Sequence, residues 1–379
     1  MKLILASLVS IAAVLASARA ARACGGGVVS TPIAGTIGAD AQRIVISVHG
    51  GVTDIVTQIG VPATTAEYGV LIPVPGEPTL DATPVKSAEL DTLFSATAPS
   101  VRLSVPDDGG GCGCPLATGG ANKGGGGGPQ PDTQVSEPVA IGPVTAVTLT
   151  ADTGDAINAW LADNGFAIPA DQQSIVAAYA GTGRYFIAIR RNDTATDAGA
   201  TSIGVHFSLA GDQRGLPLRF ARIGAAATVG FTVLVAADDV VGPAPPFTTL
   251  TLNNLSAASV RSSGYAAAMS SAISRHDNHA FVIEGTWTSP FGFRGIDSLQ
   301  AFIPSGAAVT RLSTLLPATA LDTDATLDQP YTSSPIPHTL VVQRTDAPRG
   351  PKLAFAFAAV AFVTVARRRR PRTTSSSVS

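Results

Sequence analysis

The strongest constraint on this chain is a β alternation that begins at Ile44. Ile44, Ile46 and Val48 fall on one face of an extended segment, and Val45, Ser47 and His49 fall on the other. Gly50-Gly51 supplies a turn, and Thr53, Ile55, Thr57 and Ile59 line one face of a second strand. A period of two excludes a helix here, so the early chain is expected to be a hairpin. Tyr68 to Val74 is a third strand, limited to an edge or a strand end by Pro73 and Pro75. Lys86 to Ala98 is expected to be a helix with Leu90, Leu93 and Phe94 on one stripe.

Residues 107–134 interrupt this pattern with glycine too dense for strand or helix, so they form a linker or loop. They divide an N-terminal β-rich part, 24–106, from a C-terminal α+β part, 135–348. Beyond them, Pro138 to Ala151 is a hairpin candidate rich in Val and Thr. Asp152 or Thr153 caps a helix carrying Ile157, Trp160 and Leu161 and ending at Gly165. A second short helix holds Ile175 and Tyr179 and stops at Gly181, and Tyr185, Ile187 and Ile189 then alternate as a strand. Further strands are expected at 202–209, 216–222, 229–236, 247–252 and 280–287. Ser256 caps one more helix, with Tyr265, Met269 and Ile273 spaced four apart. The fold class is α+β: a mostly β-sheet ectodomain with a few short helices, plus a C-terminal apolar anchor helix. No repeat of 20–50 residues is visible, which argues against a solenoid or propeller.

Both ends read as membrane signals. Residues 1–23 have the form of a signal peptide: Lys2, an apolar run from Leu3 to Ala18, and the small-x-small site Ala21-Arg22-Ala23. Cleavage there leaves Cys24 first; lipidation of that cysteine is the rival reading, although Ala21-Arg22 makes a poor lipobox. At the other end, Leu353 to Ala366 carries no charge and is followed by Arg367, Arg368, Arg369 and Arg370. At about 1.5 Å per residue this run spans about 21 Å, short of a hydrocarbon core of about 30 Å. Snorkelling of Lys352 and the arginines, with local thinning, makes up the difference. The arginines then face the cytoplasm and the ectodomain faces outward. A buried core helix is the bland alternative, and five arginines after the run argue against it. The segment also resembles the sorting signals of Gram-negative bacteria, but lacks the cysteine that the myxobacterial version carries near the helix start. The expected location is therefore exported, periplasmic or cell-surface, and membrane-tethered.

Charge narrows the partners. Three of the 25 Lys+Arg lie in 1–23 and seven in 349–379, leaving 15 against all 27 Asp+Glu in the ectodomain, a net of −12. Such a surface repels phosphate backbones and disfavours nucleic acid. Another envelope protein or a cell-wall component is the expected partner, besides the membrane at the C-terminal segment.

Several stretches carry a family likeness. They are Ala23-Cys24-Gly25-Gly26, the run Ile72 to Pro78, Ala156 to Pro169, Tyr185 to Arg190, Val309 to Leu312 with Leu316-Pro317, and Asp322 to Leu327. Together, in this order over roughly residues 23–330, they resemble the secreted bacterial proteins grouped as domain of unknown function 2330, common in myxobacteria. The resemblance implies export and kinship of fold, and no activity. Family members often place a second cysteine soon after the ACGG start; this chain has Gly27-Val28-Val29, which excludes a local disulfide there.

Chemistry-bearing residues are sparse. Cys24, Cys112 and Cys114 are the disulfide candidates, and an oxidising envelope favours a bond from Cys24 to one of the other two. Metal binding by Cys112-Gly113-Cys114 finds no further ligand nearby in sequence. His276, Asp277 and His279 form the one histidine cluster, a weak metal candidate against a solvated loop after a helix end. His49, His206 and His338 are isolated and read as ordinary strand or loop residues. Asp107-Asp108 and Asp238-Asp239 read as solvated turns, not calcium loops. Trp160, Tyr179, Tyr185 and Phe186 read as core. No nucleophile elbow, phosphate loop, dinucleotide fingerprint or zinc-protease motif appears, and no cofactor is implied. The expectation is a binding or structural domain without catalysis; the rivals are an envelope hydrolase with dispersed site residues and a cysteine-based metal or redox protein.

Overall fold

Strands dominate because β-branched residues alternate along most of the chain. The computed structural model describes residues 26–30, 41–60, 68–104, 133–180, 183–191, 202–225, 227–332 and 336–343. All of them belong to one compact unit ending at Gln343. Before the glycine-rich segment come β1 (Gly26–Ser30), β2 (Ala41–His49), β3 (Val52–Gly60), β4 (Tyr68–Val74), β5 (Thr79–Leu80) and helix α1 (Ser87–Ala96). After it come β6 (Gln134–Val135), β7 (Val139–Ile141), β8 (Val144–Thr150), helix α2 (Gly154–Asp163), β9 (Phe166–Ala167), helix α3 (Gln173–Ala177), β10 (Tyr185–Arg191) and β11 (Ser202–Ala210). The remainder comprises β12 (Thr228–Ala237), β13 (Thr248–Thr251), helices α4 (Ala257–Ser263) and α5 (Tyr265–Ser274), β14 (Ala280–Thr288), helix α6 (Asp297–Ala301) and β15 (Ala308–Pro317).

Two sheets result. The smaller is antiparallel, in the order β9-β1-β4-β10-β8-β6, with β7 also on β8. The larger is mixed, in the order β13-β14-β15-β12-β2-β3-β11-β5, with parallel pairs at β12–β2 and β13–β14. Strands from before and after residues 107–132 share both sheets. Ser100–Ser104 and Thr339–Gln343 form a separate parallel pair.

Alternation sorts the core into layers. Ile44, Ile46, Val205, Phe207 and Val233 of the larger sheet meet Val70, Ile72, Ala146, Ile187 and Ile189 of the smaller one. The outer face of the smaller sheet, with Leu71, Leu149 and Phe186, is covered by Ile157, Trp160 and Leu161 of α2 and Val176 of α3. The outer face of the larger sheet, with Val45, Val56 and Leu234, is covered by Leu90, Leu93 and Phe94 of α1 and Leu299 of α6. The architecture is helix, sheet, sheet, helix, so the expected mostly β fold with short helices is observed.

Two local expectations are corrected. Residues 216–222 are not a strand: Gly215–Leu216 is a two-residue bridge, and Phe220–Arg222 is a 3₁₀ turn after Pro217. The helix capped by Ser256 is two helices, broken at Gly264 with φ 86°. The third strand has its proline at a strand end, as expected: Pro73 is next to the last residue of β4, an interior strand, and β1 pairs only residues 68–71, so only β10 lies beside the proline. Among the described residues no helix is long and apolar enough to cross a membrane. The anchor segment 353–366, its arginines, the signal peptide, Cys24, Cys112 and Cys114 all lie outside the described residues.

Candidate functional site

Among the described residues, a group of titratable side chains gathers near the β2–β3 turn, on the helix-covered face of the larger sheet. Position parity places it there. Thr53, Ile55 and Thr57 point to one face of β3, so Asp54 points to the other, as do His206 and Ser208 of β11. Register brings them together, because Asp54 lies opposite Ser208 on β11 and opposite Ser47 on β2.

Asp54 is the hub. Its Oδ1 accepts a 2.6 Å bond from the Ser208 hydroxyl and lies 3.0 Å from His206 Nε2, while its Oδ2 lies 2.8 Å from His49 Nε2. His206 reaches a second carboxylate, Asp81, at 3.2 Å from Nδ1. Asp81 follows β5, whose backbone pairs with β11, and its Oδ1 accepts the amide of Thr83. The ring of Phe302, just after α6, lies 4.0 Å from the His206 ring. The His206 side chain is 8 % exposed and Asp54 12 %, whereas His49 is 41 % exposed.

Electrostatics follow from these contacts. Burial alone would raise the Asp54 carboxyl; bonds from Ser208, His206 and His49 and the charge of His206 outweigh it and hold it below the ordinary range. Burial likewise opposes, and bonds from Thr83 and His206 depress, the carboxyl of Asp81. Both ring nitrogens of His206 face acceptors.

The connectivity differs from that of a nucleophilic triad. A triad places the histidine between the hydroxyl and the carboxylate. Here Ser208 bonds directly to Asp54, and His206 spends both nitrogens on carboxylates. The group is a closed ionic knot tying β3, β11 and the segment after β5.

Two other knots stand elsewhere, the first of them buried. Glu284 sits at a bulge in β14, where the register shifts between Ile283 and Gly285. It accepts a 2.6 Å bond from Arg311 Nε and another of 2.6 Å from the Tyr265 hydroxyl. Burial and the Glu284 charge push the Tyr265 hydroxyl far above its ordinary pKa, keeping it a donor. Arg311 also donates to Phe94 O and Thr97 Oγ1 at the C-terminal end of α1. On the outer side of the smaller sheet, the buried Tyr179 hydroxyl donates to Asp324, which also accepts the Arg219 amide.

The sequence candidates fall elsewhere. Asp277 and Asn278 adopt left-handed conformations in a turn after α5. His279 bonds back to Asp277 O, lies 3.5 Å from Asp322 and packs on Phe247, while His276 is exposed. Among the described residues no group of three or more His, Cys, Asp or Glu is arranged to hold a metal. Trp160, Tyr179 and Phe186 are core residues and Tyr185 is half-buried. Asp238-Asp239 is an exposed bend.

A narrow apolar crevice lies on the opposite face of the same strands, between the two sheets. Ile46, Ile55, Ile72, Phe207 and Leu216 are among its walls, and Pro75 and Gly215 stand where it meets solvent.

No curated protein and no solved structure matches this chain. A family model matches residues 18–245, which include the ionic knot and the crevice walls. The chain belongs to that family, described as an uncharacterized protein conserved in bacteria (DUF2330).

Proposed function

We propose that this chain is an exported, membrane-tethered domain of the bacterial envelope that binds another envelope component or braces it, without catalysis. Closure of the His206 knot carries this reading. Its buried histidine and its part-buried carboxylates and serine are consumed by one another, which suits rigidity more than turnover. The signal-like start and the apolar, arginine-ended segment support export and tethering. The acidic ectodomain suits cationic or neutral partners over phosphate backbones.

The full chain in a Gram-negative host is expected in the membrane fraction and open to protease added from outside the cytoplasmic membrane. Removal of residues 349–379 is expected to release it. A chain that stays cytoplasmic sinks the localisation. For the second half, purified chain is assayed with ester, glycoside and peptidoglycan substrates. Turnover that vanishes in His49→Gln or Asp54→Asn would establish a hydrolase built on the half-exposed His49 and its Asp54 partner.

A further inference from the structure

The crevice between the sheets holds a feature that packing alone does not explain. Thr57 is on its wall, is only 1 % exposed, and its hydroxyl has no hydrogen-bond partner. Gln42 lies two residues before Ile44, which pairs with Thr57, and so shares that face. Its amide oxygen and nitrogen are also buried without partners. A buried hydroxyl left unbonded costs free energy, and native interiors seldom keep one without an occupant.

The size and lining of the space restrict the occupant. The void is about 40 Å³. At about 10–15 Å³ per water this corresponds to roughly three waters, or a body of three to four carbons. No charged residue lines it, so an unpaired carboxylate or ammonium would be costly there. Water fits the volume poorly in chemistry, since each molecule wants two to four polar partners and the walls are mainly isoleucine, valine, leucine, phenylalanine and proline.

We infer that the crevice is a binding site for a small neutral molecule with a short alkyl body and one oxygen, an alcohol or a ketone. The oxygen pairs with the Thr57 hydroxyl and the carbons replace contacts that the apolar walls lack. This inference rests on reading the chain as a binding module. Failure at the crevice would leave the localisation and turnover tests standing, so the two are distinguishable.

The test is a titration of the full chain with 1-butanol, followed by isoleucine methyl NMR, with xenon as an apolar control. Saturable shifts at Ile46, Ile55 and Ile72 in the millimolar range, with Ile273 on α5 unmoved, are expected. Thr57→Val keeps the shape and removes the hydroxyl. It should weaken 1-butanol about fivefold, the worth of one net hydrogen bond, and leave xenon unchanged. Thr57→Ser should retain the alcohol. Shifts that never saturate, xenon binding without butanol binding, or equal butanol affinity in Thr57→Val would each overturn the inference. An ordered water on Thr57 that butanol does not displace would do the same.

Discussion

At the scale of single residues, Asp54 concentrates the most interactions of any carboxylate near the β2–β3 turn, and its acid behaviour follows. Its folded pKa lies below the unfolded value of about 3.9. Its contribution is therefore fully present above that value and is lost as pH falls through the folded pKa. Asp81 is shifted in the same direction and acts in the same window. Melting temperature measured from pH 7 to pH 2 should decline below about pH 4, and Asp54→Asn should flatten that decline while lowering stability at pH 7. Parallel acid limbs in wild type and variant would refute the assignment. Little of this knot was legible in the sequence. His206 is distant in sequence from both Asp54 and Asp81, and a lone histidine within an apolar strand carries no signal of its partner. The available clue was parity: Asp54, His206 and Ser208 all fall on the face of their strands opposite the isoleucines and phenylalanine.

At the scale of elements, the sequence revealed what alternates and concealed what does not. β2, β3, β8, β10 and β12 follow period two, and α1 and α2 show their apolar stripes where the structure has them. β15 escaped notice although it lies inside the larger sheet, because Thr310, Arg311, Ser313 and Thr314 break its apolar run. Those polar residues are buried and partnered, which only tertiary structure can arrange: Arg311 clasps Glu284 across the bulge and holds the end of α1. Removing one member of such a buried pair strands the other's charge. Arg311→Met should therefore destabilise by about 3–5 kcal/mol in denaturant titration, whereas Arg311→Met with Glu284→Leu should recover much of that loss. Equal destabilisation by the single and double variants would mean that the pair is held by packing and not by charge.

At the scale of the whole molecule, the chain weaves its two sheets from both sides of the glycine-rich segment. β4 is flanked by β1 from its own side and by β10 from beyond that segment, and β2 is flanked by β3 and by β12. Neither part, 24–106 or 135–348, owns a complete sheet, so each alone would expose unpaired strand edges and an apolar face. The composition break at 107–134 thus marks an insertion in the chain path and not a boundary between independent cores. The consequence is cooperativity. The unit ending at Gln343 should unfold in one transition seen alike by far-UV circular dichroism and tryptophan fluorescence, since Trp160 reports the smaller sheet's outer layer and Trp287 reports β14 of the larger sheet. Arg311→Met should move both signals by the same amount, although its charge pair lies wholly in the larger sheet. The two parts expressed separately should aggregate or stay unfolded, and should yield folded protein only when expressed together. Two transitions, with the Trp160 signal insensitive to Arg311→Met, would mean that the shared strands fail to couple the layers.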